Sequence, residues 1–478
     1  MAVNQMYFLL AFLGYLSVMI IISWCVSRWQ KSGNDYLLAG RKVPLFLTLG
    51  TTVATMVGTG SSMGAVGFAY ENAWAGALYG LGGALGILLL AWLFAPAREQ
   101  AFSTMSEELA SYIGHHQGVK KLLAFLIYAA SIGWLGAHLI GGGMYLAWLT
   151  GIDEVTAKLL IGFGLAFYVT LGGYSAVIWT DSIQAVILFV GFLLMAYFSI
   201  DLIGGWENLS NNHTANDNGL FSYQKIGLFP AISMSLVVLV GVLATPSFRQ
   251  RIYAAEDVTS IRRSFTLSGL LYLGFSLVPA IVGICAYIIN DSLDNPAFAF
   301  PYVAMNALPV LLGGVILLAG ISATLSSASS DAIAGVSVLV SDIYQWIFKH
   351  PIAPEQQLKV SRLGMLLTVF IALMMALLSN DIISYITKMI SLVLAGLCVM
   401  GLLGRFWQSY TWQGAIATLL GAICATLITT LNAHWLAYFG NAIIPALCTA
   451  YVFGVVVSLF TQSANLSEAA AAEQKVTS

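Results

Sequence analysis

Residues 50–67 read GTTVATMVGTGSSMGAVG, and this stretch is the strongest indication of an interrupted membrane helix. Its length and apolar content suit a bilayer, but the repeated glycines, threonines and serines make a poor continuous helix. Inside a membrane, such a stretch fits a helix that breaks and turns its freed carbonyls toward a cavity. The alternative is an unbroken helix whose small residues pack closely against a neighbouring helix.

Composition independently indicates a membrane protein. Of the 478 residues, 59% are hydrophobic and only 8% are charged, whereas soluble domains carry about 25% charged residues. The 19 basic and 21 acidic residues are nearly balanced, so no basic face is available for nucleic acid. The chain has no Walker A motif and no HExxH metal-ligand pair, which argues against an ATP-driven pump and an intramembrane metal hydrolase, so no enzyme activity is expected.

Apolar runs of about 20 residues, enough to cross roughly 30 Å of hydrocarbon, recur about thirteen times. They predict an all-α polytopic membrane protein with one transmembrane domain over 1–461 and a tail at 462–478. The runs cover 6–27, 46–70, 75–96, 121–149, 156–173, 176–201, 226–247, 264–289, 308–340, 361–379, 382–404, 411–431 and 440–461.

The distribution of basic residues predicts the orientation. When successive loops are assigned to alternating sides, sixteen of the 19 lysines and arginines share the side of loop 28–45. Basic residues concentrate in cytoplasmic loops. We therefore expect a multi-pass protein of the plasma (inner) membrane with its N-terminus outside and its C-terminus cytoplasmic.

A serine-rich segment, ISATLSSASSD at 321–331, carries the clearest chemical signal. On a helix, Ala323, Ser326, Ser327 and Ser330 share one face. Neutral hydroxyls together with free backbone carbonyls suit Na⁺, a hard cation that prefers several oxygen ligands. The alternative is that these serines bond back to carbonyls of their own helix.

Few charged residues lie within the runs, and an intramembrane charge is a functional candidate by default. Asp181 and Asp331 each need a cation, a proton or water at that depth. His138 lies one helical turn from Trp134, which makes it either a ligand for a polar solute or a packing residue.

Four segments give the chain a resemblance to a known family. They are DYLLAGR at 35–41, GGYSAVIWTDSIQAV at 172–186, ATPSFRQRIYAA at 244–255 and ISATLSSASSDAIAGVSVLVSDIY at 321–344. In order and spacing they resemble the sodium:solute symporters, which include proline, pantothenate, sialic acid and sugar transporters.

The resemblance implies a LeuT-type fold built from two inverted five-helix repeats. An extra N-terminal helix at 6–27 would precede the repeats, which would run over about 46–201 and 226–404. Two peripheral helices would follow within 411–461.

The resemblance also implies ion sites. The family's conserved Na⁺ site corresponds here to the carbonyls of Ala54, Val57 and Ala323 and the hydroxyls of Ser326 and Ser327. A second Na⁺ site found in some members corresponds to Asp181, Ser326, Ser329 and Ser330. One or two Na⁺ ions per cycle are therefore expected.

The solute candidates lie on the interrupted helix and on the fourth run. They are Thr55, Met56, Gly58, Ser61, Trp134 and His138. Four positions depart from the family pattern. Met56 stands where relatives often carry a polar or charged residue, and Gly58 replaces a hydroxyl seen in some of them. Asp331 stands where relatives usually carry a neutral residue, and His138 where they often carry glutamine. The identity of the solute and the oligomeric state stay open.

The leading hypothesis is a secondary active symporter that imports a small organic solute with Na⁺ by alternating access. One alternative of the same fold is proton coupling through Asp181 or Asp331. The others are a solute sensor and a passive uniporter. A sensor of this type usually carries a soluble effector domain, and the tail at 462–478 is too short for one.

Overall fold

The structure is a computed structural model that describes residues 5–211, 223–378 and 382–477. It is almost entirely helical, and the isolated β-bridge recorded in those ranges joins Val43 to Ala255. The all-α class predicted from the apolar runs is confirmed.

The first half of the chain forms an outer helix and then the elements of the first predicted repeat. In order, the main helices are α1 (Gln5–Ser27), α2 (Leu45–Met56), α3 (Val66–Asn72), α4 (Ala77–Leu93), α5 (Met105–Ser111), α6 (Gln117–Thr150) and α7 (Glu154–Leu202). Shorter helical segments lie between or after them, at Gly33–Leu38, Ala39–Arg41, Gly60–Ala65, Ala73–Gly76, Ala95–Gln100 and Trp206–Asn211.

The second half contains the elements of the second predicted repeat and two further long helices. They are α8 (Leu228–Ala244), α9 (Pro246–Ala254), α10 (Val258–Phe275), α11 (Leu277–Ile289), α12 (Val310–Val338), α13 (Pro354–Ala376), α14 (Ile382–Met389), α15 (Ala395–Phe406), α16 (Trp412–Leu431) and α17 (Ile443–Thr477). The shorter segments are Tyr223–Ile226, Pro296–Phe298, Ala299–Asn306, Leu339–Ile343, Tyr344–Phe348, Ile390–Leu394 and Ala433–Phe439.

Many of these helices are long and apolar enough to cross a membrane. Among the described residues there are 10 such stretches, or 11 if the bent pair α8–α9 counts as one span. Two of them, Leu45–Leu93 and Glu154–Leu202, are 49 residues long, whereas about 20 residues suffice to span the hydrocarbon. The total of about thirteen spans stays a prediction.

The backbone turns within both 49-residue stretches. Gly173 in α7 has φ 54° and ψ −162°, and Ala73 after α3 has φ 51° and ψ −126°. At Gly173 an added Cβ would also lie 2.7 Å from the Tyr36 carbonyl oxygen. Only glycine fits there, since the conformation and the close approach both exclude a side chain.

The loops gather at two ends of the helix bundle. At one end Arg41 donates to the Phe102 carbonyl at 2.9 Å, and Lys120 pairs with Asp342 at 3.1 Å. We call this the basic end. At the opposite end, the Tyr70 hydroxyl donates to the Asn290 carbonyl at 2.9 Å.

The serine-rich helix α12 lies in the middle of the bundle. It packs along α6 and α7 and also contacts α2. Two interrupted helices, α2–α3 and α8–α9, open the two predicted repeats, and the second bends by 41° at Thr245. Proline at the start of α9 explains this bend, because residue 246 has no N–H for the helical ladder.

Candidate ion and solute site

The break predicted in residues 50–67 is present. Helix α2 ends at Met56, and Val57 leaves the helical conformation with φ −91° and ψ 36°. The chain resumes as a wide helical turn at Gly60–Ala65. Because a helix leaves the carbonyls of its last turn outside its own ladder, the end of α2 offers oxygen ligands in the interior.

Of two adjacent serines in α12, Ser326 and Ser327, the second lies against this break. A Cβ added at Gly58 would come within 2.6 Å of the Ser327 hydroxyl oxygen. Ser326 and Ser327 are both buried, and neither Oγ has a hydrogen-bond partner in the described ranges. A buried hydroxyl without a partner costs about 1–3 kcal/mol. These two serines therefore do not bond back to their own helix, and they remain free to ligate a cation.

The second predicted ion site centres on Asp181 of α7, which is fully buried. Its Oδ2 accepts from the Thr51 hydroxyl at 2.6 Å and, at 3.4 Å, from Ser330. Ser326 lies close to this carboxylate but does not form a hydrogen bond of good geometry with it. Ser329 instead donates to the carbonyl of Ser326 at 2.8 Å.

A buried arginine beside Asp181 is the main residue that the sequence analysis missed. Arg251 of α9 is only 1% exposed, although the loop count treated it as a cytoplasmic loop residue. Its Nη2 donates to Thr51 Oγ1 and Ser330 Oγ, both at 3.1 Å, and also to Thr55. The available signal was its place in the family-like segment 244–255, directly after an interrupted apolar run.

A pocket of about 60 Å³ lies between the two interrupted helices and α12. Of the predicted solute residues, Thr55, Met56, Trp134 and His138 line this pocket, as does Asp331. The other lining residues were not predicted: Gly60, Tyr79, Val238, Gly241, Val242, Thr245, Ser247, Phe248, Tyr272 and Ile390.

The remaining two solute candidates lie outside this pocket. Gly58 faces Ser327, so it adjoins the predicted ion site instead. The Ser61 hydroxyl donates to the Met56 carbonyl at 2.7 Å and lies 2.6 Å from the hydroxyl of Tyr272. Ser61 does not line the pocket, but it can hold the Tyr272 ring that does.

His138 and Asp331 form a pair in the pocket wall. His138 Nε2 lies 3.2 Å from Asp331 Oδ2, and His138 Nδ1 lies 3.2 Å from the Thr59 hydroxyl. The Thr59 hydroxyl also donates to Thr324 at 3.0 Å. Both members of the pair are buried. Two of the four positions expected to depart from the family pattern are therefore in direct contact.

The pocket lies between an open and a closed end of the bundle. A cavity of about 810 Å³ opens at the opposite end, with Gly67, Glu71, Lys225 and Lys388 among its lining residues. We call it the vestibule. Ser391 also lines the vestibule, and it follows the pocket residue Ile390 in the chain.

A buried ion pair closes the basic end. Arg249 of α9 pairs with Glu108 of α5 at 2.6 Å, and the two side chains are 1% and 0% exposed. Tyr112 donates to the same carboxylate at 2.8 Å, and Tyr253 bonds its other oxygen. A solute in the pocket therefore has a route toward the vestibule and a barrier toward the basic end.

Comparisons with known proteins agree with this architecture. A sequence model of the sodium:solute symporter family matches residues 36–422. A sodium/pantothenate symporter of Escherichia coli is 23% identical over 470 residues, covering 93% of this chain and 94% of the relative. A sodium/glucose cotransporter of Vibrio parahaemolyticus is 25% identical over 455 residues, covering 87% and 83%.

The fold also has a solved counterpart. The substrate-bound, outward-open structure of a Na⁺-coupled sialic acid symporter aligns with a TM-score of 0.81 at 20% identity. The alignment covers 95% of this chain and 97% of that one. The LeuT-type fold predicted from the sequence is thereby confirmed.

Proposed function

Because the chain belongs to the sodium:solute symporter family, we propose that it imports a small organic solute with Na⁺ held between the break of α2 and the serines of α12. It is a secondary active symporter and not an enzyme, like the relatives it matches. The ion ligands would be the carbonyls of Ala54, Val57 and Ala323 and the hydroxyls of Ser326 and Ser327.

The observation that carries this proposal is the pair of unpartnered serine hydroxyls. Both hydroxyls are buried, Ser327 Oγ lies beside the end of α2, and neither forms a hydrogen bond of good geometry with another described group, although Ser326 lies near the Asp181 carboxylate. A cation would satisfy both hydroxyls together with the freed carbonyls. Since none of these ligands is ionised, the pattern suits an alkali cation rather than a proton or a transition metal.

We expect one Na⁺ per solute rather than two. The guanidinium of Arg251 already bonds Ser330 and Thr51, and both of these hydroxyls also bond Asp181. Two unit charges about 4 Å apart repel by about 4 kcal/mol at an effective dielectric constant of 20. The charge of Arg251 therefore opposes a second Na⁺ beside Asp181, although Asp181 Oδ1 itself has no partner in the described ranges.

The transport direction follows from the charge distribution and the open vestibule. With the basic end cytoplasmic, as the positive-inside rule predicts, the vestibule faces outward and this conformation accepts solute from outside. Each Na⁺ then contributes about 2.3 kcal/mol per 100 mV of membrane potential. One ion could thus support about 50-fold accumulation before any Na⁺ gradient is added.

Uptake into proteoliposomes tests the proposal. A solute panel is first screened by thermal shift in NaCl and in KCl, and a solute that stabilises only in NaCl is then used for uptake. We expect an inward Na⁺ gradient at equal pH to drive accumulation. Accumulation driven by a pH gradient without Na⁺ would favour the proton-coupled alternative. An internal solute concentration that never exceeds the external one would favour a uniporter.

A further inference from the structure

Three buried polar groups of the pocket have no partner among the described residues. They are Asp331 Oδ1, the indole Nε1 of Trp134 and the hydroxyl of Ser247. Asp331 is only 2% exposed, and its other carboxylate oxygen is held by His138. Buried polar groups normally have partners. The pocket therefore offers an acceptor at Asp331, a donor at Trp134 and a hydroxyl that can act as either.

The charged groups that line the pocket favour a cation. Asp331 is the acidic residue among the lining residues, and no lysine or arginine is found among them in the described part of the chain. The nearby Arg251 lies behind Thr55, where its Nη2 is already bonded to Thr51 and Ser330. A carboxylate solute would therefore meet Asp331 with no lysine or arginine in the described pocket wall, and with the imidazole of His138 already engaged at that carboxylate.

Aromatic rings form much of the remaining wall. Tyr79, Trp134, Phe248 and Tyr272 line the pocket. The faces of such rings attract ammonium groups. Met56 and Ile390 add an apolar surface, which suits the hydrocarbon part of a small solute.

The pocket is small. Its volume of about 60 Å³ corresponds to on the order of five water molecules. This volume favours a compact solute.

We propose that the solute carries a protonated primary or secondary amine that donates a hydrogen bond to Asp331 Oδ1. An acceptor group on the same solute takes the Trp134 N–H, and a short apolar frame joins the two. This inference rests on the proposed function, because it assigns the solute class to the pocket of a symporter. It separates this chain from the relatives named for pantothenate and glucose.

Matched probes test the amine directly. We would compare L-alanine with L-lactate, ethanolamine with ethylene glycol, and L-proline with tetrahydrofuran-2-carboxylate, each by thermal shift at saturating Na⁺. At least one amine should stabilise the wild-type protein, and its oxygen counterpart should bind about tenfold or more weakly because it lacks the charged donor. Pantothenate, glucose and sialic acid serve as further probes.

Two variants test whether the amine binds to the carboxylate of Asp331. Asp331→Asn should abolish the amine shift and leave the shift caused by Na⁺ alone. Asp342→Asn should change neither, because this second buried carboxylate pairs with Lys120 outside the pocket. The wild-type comparison stands even if Asp331→Asn fails to fold.

Three results would overturn the inference. They are equal binding of an amine and its oxygen counterpart, amine binding that survives Asp331→Asn, and stabilisation by Na⁺ with no response to any amine. Loss of the Na⁺ response itself, in contrast, would contradict the proposed function.

Discussion

Replacing Glu108 with glutamine tests whether the buried ion pair keeps the basic end closed. Glu108 accepts from Arg249 at 2.6 Å and from Tyr112 at 2.8 Å, and a third donor, the hydroxyl of Tyr253, bonds its other oxygen. The pair joins α5 to α9, the second half of an interrupted helix. Opening toward the basic end would have to separate these two helices.

The substitution raises the free energy of the closed state more than that of the open state. Breaking a buried ion pair from one side costs about 3–5 kcal/mol. Arg249 keeps the Leu243 carbonyl at 3.3 Å and its position over the Phe94 ring, so the lower value applies. In an open state water reaches Arg249 and removes most of this cost. About 3 kcal/mol shifts the closed–open equilibrium roughly 100-fold toward the open state.

Cys398 provides a native reporter for this opening. It is buried in α15, close to Arg249. In a background with the other four cysteines, Cys25, Cys285, Cys424 and Cys448, replaced by alanine, a water-soluble maleimide would label Cys398 in detergent. Since labelling follows the open population, the rate should rise by about 100-fold in Glu108→Gln.

A matched control separates gate opening from general loosening. A second background keeps Cys285 as the reporter, because this buried cysteine lies in α11 and outside the basic end. Its labelling should not rise in Glu108→Gln. An unchanged Cys398 rate, or an equal rise at both reporters, would refute the role of the ion pair as a gate.

Three further substitutions probe the ion site and the pocket. Gly58→Ala places a Cβ 2.6 Å from Ser327 Oγ, so we expect the Na⁺ concentration for half-maximal uptake to rise about tenfold; an unchanged value contradicts the assignment. Asp181→Asn should slow uptake by removing the carboxylate that shares the hydroxyls of Thr51 and Ser330 with Arg251, while the reversal potential still reports one Na⁺ per solute; a stoichiometry that falls from two to one would show that the second ion site is real. His138→Gln should keep partial solute affinity, because an amide can still donate to the pocket carboxylate, whereas His138→Ala should lose about tenfold; equal isotherms for all three proteins would remove His138 from the site.

Local sequence patterns identified the two elements to which we assign the proposed ion site. The glycines and hydroxyls of 50–67 predicted a broken helix, and α2 does end at Met56. The serines of 321–331 predicted oxygen ligands, and two of them are buried without partners. Both predictions rest on features that lie within one helix, where spacing along the chain fixes position in space.

The buried charges could not be predicted in the same way. Arg249 and Arg251 fall in a segment whose hydropathy is low, so the positive-inside count treated both as loop residues. Their burial depends on partners such as Glu108, more than 100 residues away along the chain. The His138–Asp331 contact likewise joins two helices. A single sequence contains no direct record of such tertiary pairs.

The most direct test of the account is the stabilisation that Na⁺ alone gives to the protein and its serine variants. Melting would be compared in NaCl and in KCl of equal ionic strength for the wild type, Ser326→Ala and Ser327→Ala. Ser337→Ala is the control, because this serine lies further along the same helix and already bonds the Ile333 carbonyl at 2.9 Å.

A specific Na⁺ site predicts that the serine variants are less stable than the wild type in NaCl but not in KCl. At 100 times the dissociation constant, Na⁺ should stabilise the wild type by about 2.7 kcal/mol. Both alanine variants should lose most of this stabilisation. In KCl they should melt no lower than the wild type, because each removes a buried hydroxyl that has no partner. Equal stabilisation of all four proteins by Na⁺ would contradict the assignment of the coupling ion to these serines.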